Sequence, residues 1–146
     1  MCLTISFAHH INNKPKIAYT DILVYKCLDT HTLNGTPQIT TPYRDYPITF
    51  DENGIFTYPK VRLEKLSHED IGQGIHAYYY DMGARQLAAK YKRDFGCKMF
   101  YAIIPKGSRY FIGLDFQIVA NNMTIFKTKE EYDEYAKTHK TISLKW

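Results

Sequence analysis

Cysteine and tryptophan are scarce in this sequence. The 146 residues include three Cys and one Trp, and no two cysteines have CxxC spacing. An odd, dispersed set of cysteines provides neither a disulfide framework nor a zinc finger, and it is typical of a reducing compartment. No apolar run approaches the ~18 residues of a membrane-spanning helix, and the first residues, MCLT, lack the features of a signal peptide. We therefore expect a cytoplasmic location and no membrane partner.

The motifs of several enzyme and cofactor classes are also missing. No serine lies in GxSxG, and no two histidines have the HxH or HxxxH spacing that brings two imidazoles to one metal ion. The segment Gly72-Gln73-Gly74 lacks the third glycine of GxGxxG and the GK[ST] ending of a phosphate-binding loop. The sequence therefore predicts no metal site and no cofactor.

The composition indicates a globular fold. Apolar residues make up 45% of the chain and charged residues 23%, which is enough to bury a core, and the length suits a single domain over residues 1–146. Short apolar segments between turn residues predict strands, of which 17–28 and Cys97–Ile104 are the clearest. Residues 29–47, rich in Pro and Thr, are predicted to form an irregular loop with at most one short strand.

Two helices are predicted among these strands. Apolar residues at i, i+3, i+4 and i+7 from Ala84 give one apolar face to a helix over about 81–95. Thr128 and Glu131 have the spacing of a capping box, which begins a second helix over about 128–138. The expected class is therefore α+β, a mostly antiparallel sheet with two helices packed on one side.

Basic residues concentrate in the middle of the chain. Net charge is +4, and the stretch 82–110 carries seven Lys and Arg residues against one acid. The segment 105–110, whose tight turn at 105–108 is predicted as the tip of a hairpin, combines two cations with a hydroxyl and a flexible glycine amide, which suits an anion. His76 and Tyr78 fall on one face of a predicted strand, where a base could stack. The candidate ligand-binding residues are His76, Tyr78, Arg85, Lys106, Ser108 and Arg109.

Five segments stand out: MCLT at the start, IA at 17–18, DILVYK at 21–26, GIH at 74–76 and IIPKGSRY at 103–110. These segments resemble small proteins of gut bacteria and their phages, a family with no assigned activity. The resemblance implies a phage or phage-derived origin. The PKGSR turn is also similar to the closing hairpin of mono-ADP-ribosyltransferases. The matching stretch RDFGCK at 93–98 lacks the catalytic Glu of that family, which implies a binder rather than a transferase.

Three functions follow as hypotheses. The first is a non-enzymatic, phage-related protein that binds an anionic ligand, a nucleotide or a nucleic acid, on a basic, Tyr-rich surface. The second is a structural phage component or an inhibitor that binds another protein or a second copy of itself, because the 13 Tyr residues suit an interface core. The third is a small enzyme with His76 as acid or base.

Overall fold

The computed structural model of the chain describes residues 3–4, 15–41, 47–65, 70–81, 97–113 and 116–144. Within these ranges no helix is long and apolar enough to cross a membrane. The elements there are, in chain order, β1 (Leu3–Thr4), β2 (Lys16–Ile17), β3 (Asp21–Leu33), β4 (Thr36–Thr40), β5 (Ile55–Thr57), β6 (Glu64–Lys65), β7 (Asp70–Gln73), β8 (Ile75–Tyr78), β9 (Cys97–Ile104), β10 (Arg109–Ile112), β11 (Gln117–Ala120), β12 (Thr124–Phe126), α1 (Lys129–Ala136) and β13 (Thr141–Ser143).

The long strand β3 is the centre of a ten-stranded sheet. The strand order is β2-β10-β11-β8-β3-β9-β12-β5, and β4 and β13 also pair with β3. On one side β3 pairs with β9 over eight residues. Its other side is shared by β13, β8 and β4, because Leu23, Tyr25 and Asp29 each pair with one of these strands as well as with β9. All of these pairs are antiparallel except β3–β13.

The large sheet curls around one of its faces. β9 and β10 are four steps apart in the strand order, which in a flat sheet puts them about 19 Å apart. A tight turn at 105–108, which spans less than about 7 Å, joins them, so the sheet must bend. The predicted hairpin is therefore wrong, since β10 pairs with β11 and β2 instead of β9. The inner face holds the main core, which includes Ile22, Val24, Leu28, Ala102, Ile104, Ile118, Ala120 and Ile125.

A three-stranded sheet of β1, β7 and β6 adjoins the large sheet. The chain passes between the two sheets at Gly74, the single residue between β7 and β8. Gly74 has a φ of +146°, a conformation that L side chains rarely adopt. Close by, Leu63 packs on Phe111 and Val119, which form a second, smaller core cluster.

The structure is mostly antiparallel β sheet, so the predicted α+β class with two helices is wrong. Strands make up 51% of it and helix 9%. Helix α1 lies within the predicted range 128–138, but the Thr128 hydroxyl donates to the Glu131 carboxylate and caps no backbone N–H. The predicted helix over 81–95 lies outside the described residues apart from Asp81.

The irregular loop predicted over 29–47 is wrong for residues 29–40, which form strand, while 42–46 lie outside the described residues. The end of β3 and the whole of β4 form a hairpin there, paired from Asp29–Thr40 to Leu33–Thr36. Asn34 and Gly35 supply the two-residue turn, with φ angles of +52° and +79°. Asn-Gly is the preferred sequence for such a turn because its twist matches that of the flanking strands.

Candidate binding surface

The predicted ligand-binding residues fall in separate places. His76 and Tyr78 lie in β8, in the middle of the large sheet, and both are half-buried. Lys106 and Arg109 are exposed, one in the turn before β10 and the other at its start. β11 lies between β8 and β10, so two strand spacings, about 10 Å, separate these two groups across the sheet, and the strand register adds an offset of at least two residues along it. Arg85 lies outside the described residues.

Tyr78 belongs to a row of tyrosines that contributes to packing. Tyr78 pairs with Tyr25 of β3, which pairs with Tyr101 of β9. The ring centroids of Tyr25 and Tyr101 are 5.4 Å apart, and Tyr132 of α1 stacks on Tyr101 at 5.5 Å with an interplanar angle of 11°. These half-buried rings fix α1 against the sheet. Part of the tyrosine excess is therefore used within the fold.

The turn at 105–108 uses its backbone amides internally. The Lys106 N–H donates to the Asp21 carboxylate at 2.8 Å. The Gly107 N–H donates to the Ala18 carbonyl at 2.7 Å, and the next N–H closes the turn on itself at 3.0 Å. The Ser108 residue is buried, with 6% exposure. The exposed chemistry of this turn is therefore that of its Lys and Arg side chains, without a cradle of amides.

Asp21 ties the turn to the C-terminal helix. One of its carboxylate oxygens accepts the Lys106 N–H, and the other accepts the Tyr135 hydroxyl of α1 at 2.6 Å. Burial, together with the Asp21 contact, raises the pKa of Tyr135, so the phenol remains a donor. Because Asp21 is only 9% exposed, its negative charge is withdrawn from the surface beside the turn.

Tyr135→Phe should lower the free energy of unfolding by about 2 kcal/mol, because it removes a hydrogen bond to a charged group and leaves one oxygen of Asp21 without this donor. Urea denaturation at neutral pH measures the loss. The matched control is Tyr80→Phe, on a tyrosine that is 41% exposed, with an expected change within about 0.5 kcal/mol. Equal effects of the two variants would contradict the role given to Asp21.

Five exposed residues form one surface at the end of the large sheet, which we call the basic edge. They are Lys16, Ile17, Tyr19, Lys106 and Arg109. β2 is the outermost strand, and its pairing with β10 places Ile17 opposite Arg109. Successive residues of a strand alternate between its two faces, so Lys16 and Arg109 lie on opposite sides of the edge. The exposed fraction is 83% for Tyr19 and 49% for Ile17.

Hydrogen bonds on both sides of Tyr19 hold it beside the turn. The buried Ala18 donates its N–H to the Ser108 carbonyl at 2.9 Å and accepts the Gly107 N–H. Two residues after Tyr19, Asp21 accepts the N–H of Lys106. The bend at 19–20 is therefore fastened to the turn at both of its ends, which places the backbone of the exposed Tyr19 beside the turn that carries the exposed Lys106.

Sequence reasoning found Lys106 and Arg109 but missed Lys16, Ile17 and Tyr19. It predicted one strand over 17–28, whereas the chain bends at 19–20 between β2 and β3. The polar pair Thr-Asp at 20–21 was the local signal for that break. The pairing of β2 with β10 joins distant parts of the chain, which no local pattern indicates.

No protein-family model matches this chain, and no curated protein or solved structure matches it either. The resemblances to phage proteins and to mono-ADP-ribosyltransferases therefore stay predictions. Among the described residues, no group of three or more His, Cys, Asp and Glu side chains could hold a metal ion. The chemistry available at the basic edge is thus cationic and aromatic.

Proposed function

We propose that this protein binds an anionic ligand, a nucleotide or a nucleic acid, at the basic edge, and that it acts by binding rather than by catalysis. The observation that carries the proposal is a tyrosine, 83% exposed, whose backbone is held beside the turn of Lys106 and follows the edge strand that carries Lys16 and pairs with the strand of Arg109. Lys and Arg bind phosphate through charge-assisted hydrogen bonds, and a tyrosine face stacks on a base.

The local charge balance supports the same ligand class. Asp21, the carboxylate that the described structure places in contact with this edge, is buried and hydrogen-bonded to α1. Asp21 therefore does not neutralise the three exposed cations Lys16, Lys106 and Arg109. The net charge of the whole chain, these cations included, is also positive, at +4. Attraction between exposed charges is screened by salt, so the affinity for a polyanion should fall steeply as salt rises.

Arg109→Glu tests the proposal most simply. It should weaken binding of a labelled oligothymidine of about 12 nucleotides by about tenfold or more at low salt, because it replaces a phosphate contact with a repulsion. Fluorescence anisotropy measures the affinity. Lys98→Glu is the control, since Lys98 is also exposed but lies at the other end of β9. Equal losses would show a general charge effect, and a loss on Lys98→Glu alone would move the site away from the basic edge.

A protein partner is the second candidate, favoured by Ile17, which exposes half of its surface beside Tyr19. In that case Ile17→Ser should abolish self-association or capture of a host protein and leave oligonucleotide binding unchanged. His76 as an acid or base stays a prediction, as do the phage origin and a cytoplasmic location in a bacterial host. Fractionation of the native cells tests the location.

A further inference from the structure

We infer that the ligand of the basic edge is a single-stranded nucleic acid rather than a free nucleotide or a duplex. The inference rests on the proposed function and narrows its ligand class. Its starting point is the exposure of Tyr19, which has 83% of its surface accessible in the bend that follows the outermost strand of the sheet. A ring so placed offers a face for stacking to any base that approaches it.

Stacking on Tyr19 requires a base whose own face is free. In a duplex the bases stack on one another and present only their edges in the grooves, which proteins read with a helix or a β-ribbon. The edge strand β2 is only two residues long, so it does not provide a ribbon of this kind. In a single strand the bases can turn outward and stack on aromatic side chains, at about 1–3 kcal/mol per base. The exposed ring therefore favours a single strand over a duplex.

An open edge also favours a strand over a free nucleotide. Sites for small ligands are concave and bury most of the ligand surface, whereas Tyr19 and Ile17 project from the sheet with most or half of their surface exposed. One nucleotide would gain a single stack and few phosphate contacts here. The distance from Lys16 to Tyr19 is roughly 10 Å along an extended chain, which matches about two to three nucleotides.

The cations are placed to contact phosphates on both sides of a stacked base. Lys106 lies beside Tyr19, while Lys16 and Arg109 lie on opposite faces of the edge. A strand that crosses the edge over Tyr19 can therefore meet a positive side chain before and after the stacked base. Because hydrogen bonds from Ala18 and Asp21 already fix the bend at 19–20, little ordering of the protein backbone opposes binding.

The test compares four probes and two variants of the full chain. The probes are labelled oligothymidine and oligouridine of about 12 nucleotides, a blunt duplex of the same length, and ATP as an unlabelled competitor. The variants are Tyr19→Ala and Tyr19→Phe, both at a site exposed enough to leave the melting temperature unchanged. We expect both single strands to bind at least tenfold tighter than the duplex. Tyr19→Ala should weaken the single strands about tenfold, and Tyr19→Phe by less than about twofold.

The outcomes separate this inference from the proposed function. If the duplex or ATP binds as tightly as the single strands, or if Tyr19→Ala binds like the wild type while Arg109→Glu does not, the ligand is anionic but is not recognised as a single strand. The inference then fails and the proposed function stands. If none of the four probes binds at low salt, both fail. A difference between oligothymidine and oligouridine would distinguish DNA from RNA as the source of the strand.

Discussion

Gly74→Ala is expected to lower the free energy of unfolding by about 2–6 kcal/mol. The backbone φ of +146° at this junction is strained for any residue with a Cβ, at about 1–3 kcal/mol. A Cβ built there would also lie 2.4 Å from Val119 Cγ2 and 2.8 Å from Leu63 Cδ2. Val119 is fully buried and β-branched, so it cannot turn away, and overpacking adds about 1–3 kcal/mol. Urea denaturation measures the loss.

Two further variants separate the strain from the steric clash. Gly35 also has a positive φ, at +79°, but a Cβ built there meets nothing within 4 Å. Gly35→Ala should therefore lower the free energy of unfolding by only about 1 kcal/mol. Val119→Ala removes the methyl group that meets the new Cβ, so the double variant with Gly74→Ala should lose less than the two single losses added together. If Gly74→Ala and Gly35→Ala were equally destabilised, or if the losses at 74 and 119 simply added, the close contact at Gly74 would be contradicted.

Lys26→Met is expected to stabilise the protein by about 2 kcal/mol at pH 7. Lys26 lies on the same face of β3 as its neighbours on that face, Val24 and Leu28. It pairs with Phe100 of β9 and is only 8% exposed. Its amine donates to the His76 carbonyl of β8, a strand that pairs with β3 at Tyr25 and Tyr78. Burial lowers the pKa of Lys26 from 10.5 to about 8, an effect that the neighbouring Cys27 partly offsets.

The stabilisation by Lys26→Met should disappear as the pH rises. Below pH 8 both the folded and the unfolded chain hold the proton, so the folded state carries the full penalty of a buried charge, about 3 kcal/mol for this pKa difference. Between pH 8 and 10.5 the folded state releases the proton first, so the wild type becomes more stable. Met removes the penalty but also the hydrogen bond to His76, worth about 1 kcal/mol.

Urea denaturation of both proteins between pH 7 and 10.5 measures this difference. Other groups whose pKa differs between the folded and the unfolded chain, such as Tyr79 and Tyr110, whose pKa values burial raises, are common to both proteins and cancel. Lys98→Met, at an exposed position on β9, should show a pH-independent change close to zero. A Lys26→Met variant that is less stable than the wild type at pH 7, with no trend toward alkaline pH, would rule out a buried charged amine.

Local sequence patterns predicted single elements well where burial alone decides them. The apolar run Cys97–Ile104 is confirmed as β9 with the same bounds, because it pairs on both sides in the centre of the sheet. Local patterns do not indicate the hairpin at Asn34-Gly35, because the three prolines and several threonines of 29–47 are typical of loops. Pro37 is nevertheless tolerated in β4, a strand that pairs off the main path of the sheet.

The binding surface was predictable only in part, for a different reason. Lys106 and Arg109 stood out because they share one turn, but their partners at the basic edge come from the β2 segment through long-range pairing. Likewise, the alternation of β3 placed Lys26 on the same face as Ile22 and Val24, yet the sequence does not show that this face is enclosed on all sides. The strand order and the curl of the large sheet decide both the composition of the basic edge and the burial of Lys26. This order and curl arise from contacts between distant parts of the chain.

Hydrogen–deuterium exchange of the full chain, with and without a single-stranded oligonucleotide of about 12 nucleotides, tests the central claim most directly. We expect slower exchange on binding in peptides that cover 15–20 and 105–110, and no change around 97–101 at the far end of β9. With Arg109→Glu the slower exchange should vanish at the same oligonucleotide concentration. Protection confined to other segments, or binding without any protection at 15–20 and 105–110, would contradict the assignment of the ligand site to the basic edge.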